Sequence, residues 1–119
     1  MKKRNGIIVY DRLREIVEPE HSCLVVWDVQ NGLADRIFNK EEFMTNLKNF
    51  IEKLHCRMPV VYTLITPIHR YFTSSWNYFS MMRRFGVDDI NKLPSFMAVG
   101  SKEREIPKMV QPKNIDIVL

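Results

Sequence analysis

The sequence predicts an α/β fold built on a parallel sheet, and three observations carry that reading. The run CLVVWDV, Cys23 to Val29, is apolar apart from Asp28, the pattern of a strand covered on both faces. An amphipathic segment follows it, and a second apolar run, VVYTLIT, comes directly after, from Val60 to Thr66. Strand, helix and strand with short joints form a crossover unit, which is parallel and right-handed in nearly all folds. The terminal IDIVL, Ile115 to Leu119, reads as a third strand. The expected architecture is a Rossmann-like doubly wound parallel sheet of which about three strands, its first half, lie in a single domain over residues 1–119.

Each element has a local rationale. MKKR at the start reads as a solvated terminus, and the IIVY that follows is too short for the core of a signal peptide. In the helical segment, Phe43, Leu47, Phe50, Ile51 and Leu54 mark one apolar stripe. Asn39 is placed to cap it, Glu41 and Glu42 face the positive end of its dipole, Lys53 and Arg57 lie near the other end, and Pro59 stops it. Residues 67 to 102 are irregular and punctuated by Gly86, Pro94 and Gly100, with a short helix expected over SSWNYFSMMRRF and a helical turn from Ser101.

Composition narrows the function classes. With 119 residues and 45% hydrophobic content the chain suits one globular domain. The formal charge of +4 is dispersed among acidic residues, which argues against a nucleic-acid surface. Two cysteines, Cys23 and Cys56, make neither a disulfide framework nor a CxxC metal pattern, and no apolar run approaches the roughly 18 residues that span a bilayer. A soluble, cytoplasmic protein with no cofactor, no membrane contact and no nucleic-acid partner is the expectation.

In open parallel sheets, ligands bind beyond the carboxyl ends of the strands. Asp28 stands at such an end, where a carboxylate can act as a general base or orient a nucleophile; the competing reading is that it buttresses the loop VQNGLAD through backbone N–H groups. The segment from Pro19 to Pro67, with its apolar strand ending in Asp28, Val29 and Gln30 and its later PVVYT, resembles the opening of the isochorismatase-like cysteine hydrolases. EIPKMVQPKNIDIVL is similar to that superfamily's approach to its third strand.

The resemblance implies a triad of Asp, Lys and Cys in which a thiolate attacks an amide-type carbonyl. Asp28 matches the Asp, and Gln30 beside it is expected to contact substrate. The matching Lys would follow Leu119 and the Cys would come later still. Cys23 does not substitute: on the same strand it lies about 16 Å from Asp28, at roughly 3.3 Å per residue, and on the opposite face. Cys56, at the far end of the helix, belongs to the other edge of the sheet. The metal-holding Asp-x-His of the nicotinamidase branch is replaced by LITPIHR, so no metal is expected and the pattern is nearer the metal-free amidases.

Tyr71, Phe72, Trp76, Phe79, Met82 and Phe85 form an aromatic and methionine set. Packing on the local core is its ordinary use; Trp76 is the candidate for a substrate mouth, with Arg83 and Arg84 able to meet an anion. The first reading is the amino-terminal part of a hydrolase acting on an amide or ureido C–N bond of a small-molecule substrate, incomplete at its carboxyl end. The alternative is a non-catalytic binding or assembly module. A naked edge on the first strand would then seek a second copy of the chain or a complementing one. A phosphotransfer domain with Asp28 as acceptor is weaker, because Gln30 stands where a second acid belongs.

Overall fold

A computed structural model describes residues 1–119. Its centre is a three-stranded parallel sheet of β3 (Leu24–Val26), β4 (Val60–Tyr62) and β5 (Ile117–Val118) in the order β3-β4-β5, with Leu24 opposite Val60 and Val61 opposite Ile117. The helix α3 (Lys40–Leu54) connects β3 to β4, as the alternation of patterns required. The fold is therefore mixed α/β with its three parallel strands in the expected places. All three strands are shorter than the apolar runs. Past Val26, Asp28 turns to a positive φ of 50° and ends the first strand, while Ile115 and Asp116 belong to a turn closed by the Asp116 N–H to the Lys113 carbonyl.

The core lies on one face of this sheet. Val26, Val60 and Tyr62 pack against Met44 and Ile51 of α3 and against Ile106 and Val110 from the carboxyl-terminal segment. The stripe that faces the core is thus Met44, Leu47 and Ile51; Phe43 and Phe50, expected in it, stand exposed at its margin. Asn39 occupies the cap position of α3 but its side chain makes no capping bond.

The other face of the sheet is not covered as the apolar runs led one to expect. Val25 and Ile117, on either side of Val61, are 45% and 49% exposed, and Trp27 is 75% exposed, so the strands are buried on one face only. Continuous apolar runs reflect a sheet meant to be covered on both sides. Only one covering layer comes from these residues. The shape is correspondingly extended: the radius of gyration is 19.1 Å, against about 13–14 Å for a compact domain of this length.

Met1 to Arg4, read as a solvated terminus, and the apolar stretch after it form an antiparallel hairpin. β1 (Lys2–Arg4) pairs with β2 (Ile7–Val9) across Asn5 and Gly6, whose φ values of 51° and 82° are those of a type I′ turn. Two four-residue helices follow at different points of the chain, α1 (Leu13–Ile16) and α2 (Asn31–Ala34).

The short helix expected over residues 74 to 85 is present as α4 (Ser75–Phe85). Ser74 Oγ accepts the Asn77 N–H at its start. At its end Gly86, with a φ of 64°, lets its own N–H and that of Val87 reach the Arg83 and Met82 carbonyls, a Schellman closure. The helical turn expected from Ser101 is a pair of turns, bonded Arg104 to Ser101 and Glu105 to Lys102.

A buried polar contact fastens the amino end of β5 to the carboxyl end of α3. His55 Nε2 lies 2.8 Å from Asp116 Oδ1, with side chains only 5% and 2% exposed, and Asp116 Oδ2 accepts the Lys113 N–H at 2.7 Å. Asp116→Ala takes the acceptor from the Lys113 N–H and the partner from the buried His55 ring, and we expect a loss of about 1–3 kcal/mol in urea unfolding. Beneath the same pair, Tyr62 is 1% exposed; burial, and then the charge of Asp116, push its phenol above its ordinary pKa. A raised folded pKa means stability that is intact below the unfolded value of about 10 and declines as the pH climbs through the folded one. Alkaline unfolding followed by circular dichroism should show this decline in the native chain, and Tyr62→Phe should flatten it.

Candidate functional site

The carboxyl edge of the sheet is assembled by the chain reversals that end β3 and β4. Asp28 is half-buried and left-handed, a conformation that short polar side chains tolerate and that marks stored strain when it sits at a strand tip. Thr63, the first residue beyond β4, holds it from both sides: the Asp28 N–H donates to Thr63 Oγ1 at 3.0 Å, and that hydroxyl donates to Asp28 Oδ1 at 2.7 Å. The carboxylate does not buttress the following loop through backbone N–H groups, as the alternative reading held. It reaches across to the neighbouring strand and keeps Oδ2 available at the sheet edge.

Gln30 is brought to the same edge, but for a different task. It is fully buried, its Oε1 accepts the Ile65 N–H at 2.7 Å, and its Nε2 donates to the carbonyls of Ile65 at 3.3 Å and Arg104 at 2.8 Å. The amide prolongs the hydrogen bonding between β3 and β4 past the end of the strands. Where a substrate contact was expected of Gln30, the structure has a clamp with every donor engaged.

Trp76 lies elsewhere. It is 72% exposed on α4, its ring 5.6 Å from that of Phe79, and neighbouring Tyr71 and Phe72 are 76% and 81% exposed. The expectation that these aromatics pack on the local core is overturned. The face of α4 that does turn inward carries Asn77, Tyr78 and Met81, which line a largely apolar cavity of about 460 Å³ with Ile65, Leu93 and Phe96. Asp28, Gln30 and Trp76 do not line it. Tyr78 and Met81 share α4 with the exposed Trp76 and Phe79, and their residue types alone do not tell which of these apolar side chains is covered.

Loop 101–106 closes the edge from the far side. The Asn31 and Gly32 N–H groups, at the start of α2, donate to the carbonyls of Glu105 and Glu103, both at 2.9 Å. Gly32 is required by this approach: a Cβ there would lie 3.0 Å from that of Glu103 and 3.2 Å from the buried Met97 methyl. No three His, Cys, Asp or Glu side chains converge to hold a metal ion, and both cysteines are exposed. No helix is long and apolar enough to cross a membrane.

Neither a scan of protein-family models nor searches of the curated proteins and of the solved structures finds a match to this chain. The functional reading rests on the geometry and on the motif around Asp28.

The pair of hydrogen bonds between Asp28 and Thr63 yields a direct test of that geometry. Thr63→Val removes both partners of a half-buried amide and carboxylate at once, with an expected cost of about 1–3 kcal/mol in urea unfolding, whereas Thr63→Ser should retain most of the stability.

Proposed function

We propose that Asp28 is the proton-transferring carboxylate of a hydrolytic site at the carboxyl edge of a Rossmann-like sheet, in a protein of the isochorismatase-like type acting on an amide or ureido C–N bond of a small molecule. The observation that carries the reading is the left-handed Asp28 at the tip of the first parallel strand, its backbone and one carboxylate oxygen fixed by Thr63. Strain held in place by a neighbouring strand at a ligand-binding edge is costly to maintain for packing alone.

In this reading Asp28 Oδ2 takes the proton of an attacking nucleophile and returns it to the leaving nitrogen. Thr63 keeps the carboxylate in position. Gln30 serves by holding the ends of β3 and β4 together. The thiol and the lysine of the resemblance are not supplied by Cys23, Cys56, Lys102 or Lys108 at the matching places, and the proposal assigns them to residues outside 1–119.

The test is made on the protein purified from its source, with whatever completes the site. Release of ammonia from a panel of small amides and ureides is expected, and Asp28→Asn should lower kcat by about 10²–10⁴-fold, the usual contribution of a positioned acid or base. Turnover equal in Asp28→Asn would remove Asp28 from the reaction.

A second reading, a binding or assembly module, is favoured by a separate observation: the open edge of β3 and the exposed Val25, Trp27 and Ile117 on the uncovered face. It requires an assembly in which these residues become buried. Sedimentation of the native protein decides it, and a monomer with Trp27 still open to fluorescence quenchers would set this reading aside.

A further inference from the structure

The outward side of α4 and the loop before it present apolar rings to water. Trp76, Phe79 and Arg83 recur at i, i+3 and i+7 and so share one side of the helix, with Arg84 beside them. Trp76 and Phe79 are exposed there, in ring contact with each other, and the loop adds exposed Ile68, Tyr71 and Phe72. A surface helix of a globular protein carries polar and charged residues on that side.

The charge of the patch has one sign. No acidic residue occurs between Glu52 and Asp88, whereas Arg70, Arg83 and Arg84 stand exposed among the rings and belong to none of the chain's ion pairs. The Arg70 guanidinium lies 5.0 Å from the centre of the Tyr71 ring and donates from Nη2 to its hydroxyl at 3.1 Å, and that of Arg83 lies 5.9 Å from the centre of the Phe79 ring. The acids that follow in the chain are committed elsewhere: Asp88 to Lys92 at 2.6 Å, and Asp89 to the Asn91 N–H at 2.8 Å. Unpaired cations among exposed aromatic and aliphatic side chains are the composition of a helix that lies in a membrane interface.

We propose that this face binds the surface of an anionic lipid bilayer, with Phe72, Trp76 and Phe79 entering the boundary between headgroups and acyl chains while Arg70, Arg83 and Arg84 meet the lipid phosphates and carboxylates. The lack of a spanning run bears on crossing a bilayer and not on lying along one, so the expectation of no membrane contact is revised for this face. A second copy of the chain fits it poorly, because a two-fold contact sets a patch against itself and would bring the arginines together. Single-stranded nucleic acid stacks its bases on open rings, and one face of Tyr71 and of Phe79 is already taken by an arginine. Neither Asp28 nor the open edge of β3 takes part, so the inference stands apart from both functional readings.

The test is co-sedimentation of the purified protein with vesicles of phosphatidylcholine alone and of phosphatidylcholine with about one-third phosphatidylserine. Saturable binding to the phosphatidylserine vesicles is expected, weakening as salt is raised. Trp76→Ser, at a position open to water and outside the core, should weaken it about tenfold or more, the loss of one buried indole. Arg83→Gln combined with Arg84→Gln should weaken it by about tenfold or more as well, and both variants should keep the circular dichroism of the native protein. In Trp27→Phe, which leaves the Trp76 indole to report, the fluorescence should shift to the blue on adding the phosphatidylserine vesicles. No binding to those vesicles, equal binding to the two compositions, unchanged binding in Trp76→Ser or in the arginine variant, an unmoved Trp76 emission, or tighter binding to polyuridine than to the vesicles would overturn the assignment.

Discussion

The buried amide of Gln30 is the interaction on which the carboxyl edge depends. Three strands of two or three residues each form few ladder bonds, and the chain leaves β3 and β4 at nearly the same level. Gln30 answers both the N–H and the carbonyl of Ile65 and then ties the pair to the Arg104 carbonyl, so three separate segments are held by one side chain. A glutamate there would lose the two donations and bury a charge; an apolar residue would leave backbone groups unpaired at about 1–3 kcal/mol each. Asp28, two residues earlier, inherits its position from that clamp and from Thr63.

Around this edge the loop 97–106 behaves as a second layer. Met97 is fully buried with a φ of 54°, Gly32 lets Glu103 approach where a Cβ would be crowded, and the Asn31 side chain donates to the Lys102 carbonyl at 2.9 Å. The contacts are made by main-chain groups and small residues rather than by a large apolar cluster. The loop is therefore held by geometry more than by burial, and the Arg104 head group is tied back to Thr66 Oγ1.

The opposite surfaces obey a different constraint. A parallel sheet whose strands are apolar on both faces has one face covered here by α3 and the segment 106–110, while Val25, Trp27 and Ile117 stay in water. α4 repeats the pattern, turning Tyr78 and Met81 inward and leaving Trp76 and Phe79 outside. At roughly 25 cal/mol per Å² of apolar area, faces of this kind are costly to leave in water.

Much of this was written in the sequence. The order of strand, helix and strand, the extent of α4 between Ser74 and Gly86, and Asp28 at the tip of the first parallel strand follow from periodicity, capping residues and apolar runs, which are local signals. The hairpin was legible too, in the Asn5-Gly6 pair, since only a turn with two positive φ values asks for that dipeptide next to an apolar run. What tertiary structure alone decided is which partner each polar group meets. Gln30 reads as a site residue until Ile65 and Arg104 close on it, His55 and Asp116 lie far apart in the chain, and an apolar strand or helix records how many faces can be buried without saying which of them these residues cover. Periodicity is a property of neighbours along the chain, whereas hydrogen-bond satisfaction and burial are properties of neighbours in space.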